Sequence, residues 1–103
     1  MEDLNDKNFE EFIKKHKIAI IDFYADWCGP CQMMKPVFHE IAEKFKGKAG
    51  FERINVDNCE IAQKLGVMSI PCFIIFKNGK EVDRIVGGMH KTDFENKLKQ
   101  KLE

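Results

Sequence analysis

Apolar residues recur along this chain at two alternating periods, and the alternation predicts the order of its elements. Phe9, Phe12 and Ile13 fall at i, i+3 and i+4, one face of a helix expected over 7–16. Ile18-Ala19-Ile20-Ile21-Asp22-Phe23 is short, branched and nearly all apolar, which predicts a strand buried on both faces. A long helix is expected over 28–45, with Val37, Ile41 and Phe45 on one face and Gly47 beyond its end. Pro36 inside it lacks an N–H donor and should kink it. A second strand is expected over 51–56, and a helix between two buried strands predicts a parallel βαβ unit. A short helix over 61–65 ends at Gly66. Two further strands, over 72–76 and 81–86, flank Asn78-Gly79, a hairpin signal, and Gly87-Gly88 breaks the second. The last helix, over 91–102, places Phe94, Leu98 and Leu102 on one face, with Thr92 and Glu95 as its candidate capping box. The sum is an α/β fold, a mixed sheet of about four strands with helices on both faces.

Composition narrows the function classes. A chain of 103 residues fits one domain, spanning 1–103, and can bury its own core. Hydrophobic residues are 44% and charged residues 33%, an ordinary globular balance that excludes disorder. Lys and Arg number 17 against 17 Asp and Glu, so there is no basic excess of the kind a nucleic-acid partner requires. The longest apolar run, Cys72-Phe73-Ile74-Ile75-Phe76, is too short to span a bilayer, and no polybasic segment suits a membrane surface. The N-terminus, Met1-Glu2-Asp3-Leu4-Asn5-Asp6, is acidic where a secretory signal would be basic and then apolar, so a cytoplasmic location is expected. In a reducing interior the four cysteines are not read as two structural bridges.

Chemistry concentrates in Trp27-Cys28-Gly29-Pro30-Cys31-Gln32. A βα turn here would leave Cys28 at a helix N-terminus, where unpaired N–H groups and the macrodipole favour negative charge. A thiolate is favoured there, and the thiolate is the nucleophile. Cys31 lies one turn in, near enough to close a small disulfide and less accessible. Pro30 presets the helical φ, and Gly29 is expected to let the backbone turn tightly. The alternative is half of a zinc site, but Cys59 and Cys72 lie thirteen apart and no His-x3–5-His run supplies a partner pair. Redox chemistry without a metal is therefore the expectation.

The chain resembles the thioredoxin family. The matching residues are Asp22-Phe23-Tyr24-Ala25-Asp26-Trp27-Cys28-Gly29-Pro30-Cys31, Pro36, Ser69-Ile70-Pro71, Phe76-Lys77-Asn78-Gly79 and Val86-Gly87-Gly88, in order and spacing from Phe9 to Leu102. The resemblance implies reduction of protein disulfides: Cys28 attacks, Cys31 resolves the mixed disulfide, and a thioredoxin reductase recycles the oxidised pair with no other cofactor. It makes Asp22 the candidate proton acceptor for Cys31. Burial in so apolar a strand should raise its pKa, unless it lies at a solvated strand edge. Pro71 resembles the family's cis proline, leaving the Ile70 backbone open to a substrate strand; a trans proline starting a strand is the alternative. Trp27, Gly29, Pro30, Ile70, Pro71, Gly87 and Gly88 would form an apolar docking patch around Cys28, the glycines allowing close approach.

Departures from the family pattern are informative. The short N-terminus implies a truncated first edge strand, Tyr24 stands where many relatives carry Trp, and Arg53 occupies a place often held by Lys. Cys72 is expected to pack as a small hydrophobe, and Cys59 to lie near the start of the third helix with a modest thiolate bias or as an exposed thiol. His16, His39 and His90 match no triad; Met33 and Met34 are expected to pack, and Lys35 to face solvent. Gly29-Pro30 points to a reductant, since glutathione-dependent relatives and isomerases usually carry Pro-Tyr or Gly-His between the cysteines. An assembly subunit using the same patch without turnover is the competing class. A monomer is expected.

Overall fold

The computed structural model describes residues 3–102; Met1 and Glu2 of the acidic N-terminal run, and Glu103, lie outside them. Four strands, β1 (Ile18–Tyr24), β2 (Gly50–Asn55), β3 (Cys72–Lys77) and β4 (Lys80–Val86), form one sheet in the order β2-β1-β3-β4. The β1–β2 pair is parallel and joined through helix α2 (Gly29–Lys44), the expected βαβ unit; the other pairs are antiparallel. Asn78 and Gly79 both take positive φ, 53° and 81°, which closes the β3–β4 hairpin with the twist its strands need.

Alternation along β1 assigns the helices to faces. Ile20 joins Phe38 and Ile41 of α2 and Phe94 and Leu98 of α4 (Lys91–Leu102) in one core. Ala19, Ile21 and Phe23 join Phe9 and Ile13 of α1 (Phe9–Lys15) and Ala62 of α3 (Ile61–Lys64) in the other. On the first face Phe38 contacts Phe51 and Phe73 with ring centroids 5.6 and 5.7 Å apart, and Phe73 meets Phe94 at 4.6 Å. Each such buried ring contributes roughly 1.5–3 kcal/mol before entropy is counted. Asp22 sits on this same face with Ile20 and is fully buried, so the strand-edge alternative does not hold.

Among the described residues the first edge strand amounts to a single parallel bridge, Leu4 to Ile54, with the Leu4 N–H donating to the Arg53 carbonyl at 2.8 Å. The same segment caps α3. Too short to stabilise itself and lacking a side-chain cap of its own, that helix receives Asp6, whose carboxylate accepts the Glu60 and Ile61 N–H groups at 2.8 and 3.1 Å.

Several expectations need correction. Helix α1 starts at Phe9, because Asn5 Oδ1 accepts the Lys7 and Asn8 N–H groups in a turn that competes with helix. Thr92 lies inside α4, where it cannot cap, and Glu95 instead pairs with Lys44 and Lys99. Met34 packs, whereas Met33 is 76% exposed.

Candidate active site

The β1–α2 turn places Cys28 as the N-cap residue of α2, in extended conformation, where its sulfur accepts the Cys31 N–H at 3.2 Å. One donor of the helix N-terminus thus points at the sulfur, which favours a thiolate. Cys28 is 6% exposed and Cys31 wholly buried, so only a sliver of the first sulfur's residue meets solvent. Pro30 sits in the first turn, where its missing N–H costs nothing. Gly29 needs no special conformation. It is the first helical residue, without positive φ and with nothing within 4 Å of an added Cβ, so the tight turn expected of it is absent.

Opposite the cysteines, the Ile70–Pro71 peptide bond is cis and the Ile70 carbonyl lies 3.8 Å from Cys28 Sγ. Gly87, whose N–H donates to the Pro71 carbonyl at 2.8 Å, has φ +98°, which a side chain would resist. A Cβ on Gly88 would rest 3.5 Å from that of Pro30, an ordinary contact, so Gly88 brings this loop beside the start of α2. Trp27 is 72% exposed and anchored at one end only, its indole N–H donating to Asp57 at 2.8 Å. Nothing in the sequence marked Asp57, which comes from the 3-10 turn Val56–Asn58 thirty residues on.

Beneath this surface Asp22 is paired across the parallel strands with Arg53, whose Nε–H donates to Asp22 Oδ2 at 3.0 Å. Burial pushes the Asp22 carboxyl up to about 6, against the opposing pull of the Arg53 hydrogen bond and charge. Its other oxygen, Oδ1, is buried with no hydrogen-bond partner. A carboxyl with one oxygen committed and the other open, titrating near neutrality, can take or give a proton.

Two thiols remain besides the Cys28–Cys31 pair. Cys72 is 1% exposed in the α1–α3 core, where burial raises its thiol, consistent with a small hydrophobe. Cys59 is half-buried, and burial raises its thiol more than backbone N–H groups lower it, so the thiolate bias is absent. Among the described residues no group of three or more His, Cys, Asp or Glu could hold a metal ion, and no helix is long and apolar enough to cross a membrane.

Comparison with known proteins agrees with this arrangement. The thioredoxin family model matches residues 1–100. Thioredoxin from Alicyclobacillus acidocaldarius is 42% identical over 101 residues, 97% of this chain and 96% of that one. Thioredoxin from Chlorobaculum thiosulfatiphilum is 41% identical over 99 residues, 94% of this chain and 92% of that one. Among solved structures, Plasmodium falciparum thioredoxin superposes with a TM-score of 0.83 at 31% identity, covering 95% of this chain and 91% of that one. A mutant thioredoxin from Halobacterium salinarum does so with 0.84 at 30% identity, covering 99% and 92%. A cysteine pair opening α2 against a cis proline, in a chain alike over nearly its whole length, leads to one conclusion: this chain belongs to the thioredoxin family and is a protein-disulfide oxidoreductase.

Proposed function

We propose that this chain, one domain over 1–103, is a general disulfide reductant working as a monomer in the cytoplasm and recycled by a thioredoxin reductase. The observation that carries the reading is Cys28 at the α2 N-cap, its sulfur receiving the Cys31 N–H and facing the Ile70 carbonyl. Cys28 attacks a substrate disulfide as thiolate; one substrate sulfur leaves and the other stays bonded to Cys28. Cys31 then gives its proton to Asp22 and attacks Cys28, which closes the Cys28–Cys31 disulfide and releases the second substrate thiolate. Trp27, Gly29, Pro30, Ile70, Gly87 and Gly88 present the substrate strand, with Pro71 holding the Ile70 backbone toward it. The electrons reside in the cysteine pair, so no metal or external cofactor enters.

Direction is tested by the equilibrium potential of the Cys28–Cys31 couple against glutathione, with the bridged pair identified by mass mapping. A value near −270 mV, ordinary for thioredoxins, supports a reductant. A value near −180 mV would assign isomerase or oxidant work; that gap of about 90 mV is roughly 4 kcal/mol for two electrons.

A further inference from the structure

Arg53 is 4% exposed and its guanidinium lies over the Tyr24 ring, Cζ 3.7 Å from the ring centroid. The Tyr24 hydroxyl donates to Asp3, and the next residue, Leu4, donates its N–H to the carbonyl of Arg53 itself at 2.8 Å. These contacts form a closed ring, from the Arg53 side chain through Tyr24, Asp3 and Leu4 to the Arg53 main chain, and from that ring Arg53 reaches Asp22. We propose that Tyr24, tethered by Asp3, is a positioning residue for proton transfer at Asp22, holding Arg53 on Oδ2 and leaving Oδ1 as the open acceptor. This rests on the reading of Asp22 as the proton acceptor for Cys31.

Arginine has a long side chain whose rotamer freedom opposes any single placement, and it stays charged at every working pH. A ring face against the guanidinium offsets that freedom and fixes its plane, so that Nε–H points at one carboxylate oxygen. The ring itself could swing about its χ angles, and the Asp3 contact prevents that. The step served is balanced. The Cys31 thiol proton passes to Oδ1, the Cys31 sulfur bonds to Cys28 as the Cys28–substrate bond breaks, and the substrate thiolate leaves with the electron pair. The other ionisable groups that interact with members of the cluster are Asp26 after β1, His39 on α2 and Cys72 on β3, and Lys35 acts in turn on His39. Asp3 and Arg53 act on Asp22 in opposite directions, Asp3 raising its proton affinity and Arg53 lowering it.

The test is the 13C titration of the Asp22 carboxyl in oxidised protein, alongside the pH profile of mixed-disulfide resolution by rapid mixing. In Tyr24→Leu the released guanidinium donates less to Asp22, and both midpoints should rise by about half a unit, roughly threefold in the ionisation constant. Tyr24→Phe keeps the ring and loses only the tether, so it should move both midpoints the same way by less; it serves as the test should Tyr24→Leu not fold. Unmoved midpoints, with Asp22→Asn slow in resolution, overturn the positioning role alone. A wild-type resolution rate in Asp22→Asn removes the acceptor reading, and this proposal with it.

Discussion

Burial of Asp22 should be visible as a pH dependence of stability, because a raised carboxyl costs the folded state more once it must ionise. Its pKa is about 6 in the fold against 3.8 ordinarily, and each unit is 1.36 kcal/mol, so the full effect is about 3 kcal/mol. Between those two values the unfolded chain has released a proton that the folded chain keeps. Stability therefore falls as pH rises from about 4 through about 6 and levels off above, with about half of the loss lying between pH 5 and 8. The perturbation is Asp22→Asn, which removes the titration. It also leaves the buried, permanently charged Arg53 without its counter-ion, so the absolute stability of the variant is no guide. The readout is the difference in pH slope. Urea unfolding by circular dichroism at pH 5, 6, 7 and 8, with the active-site pair kept oxidised, should show the wild-type midpoint falling by on the order of 1 M more than that of the variant. Asp83 and Glu95, whose carboxyls are lowered by Lys101 and Lys44, titrate below this window and in both proteins. Parallel slopes would refute the claim that desolvation outweighs Arg53 at this carboxyl.

Cys31→Ser should accumulate a stable mixed disulfide between Cys28 and a substrate, seen as a covalent adduct on a non-reducing gel, whereas Cys28→Ser should form none; an adduct through Cys31 in the second variant would reverse the assigned roles. Native Cys72 should resist a thiol reagent until the protein unfolds, and half-buried Cys59 should react slowly; rapid labelling of Cys72 would contradict its burial. Asp6→Ala removes the cap of α3 and should cost about 1 kcal/mol in denaturant unfolding, with amide exchange increasing first at Glu60 and Ile61; unchanged exchange there would show that the cap is idle. Phe38→Ala, at the centre of the aromatic contacts under α2, should cost about 3–5 kcal/mol by the same measurement.

Elements and their order were legible because each depends on a local pattern. The nearly unbroken apolar run of β1 requires burial on both faces, the 3.6-residue spacing of Phe94 and Leu98 requires a core on one side of α4, and Asn78-Gly79 can supply the two positive φ values of a hairpin turn. The nucleophile was legible for the same reason, since a Cys at the first turn of a helix meets N–H groups of its own segment. Misreadings arose where two local rules competed or where a rule was satisfied from elsewhere. The Asn5–Asn8 turn displaced the start of α1, and Glu95 spent its charge on Lys44 rather than on a capping box. No local pattern could show that Asp22 faces Arg53, that Trp27 is held by Asp57, or that Asp6 caps α3, because those partners are brought together only when β2 is laid parallel to β1 and the N-terminal segment closes over its edge. Periodicity is a property of neighbours along the chain. The ionisation of a buried carboxyl depends instead on what surrounds it in space, and that requires the sheet to be assembled.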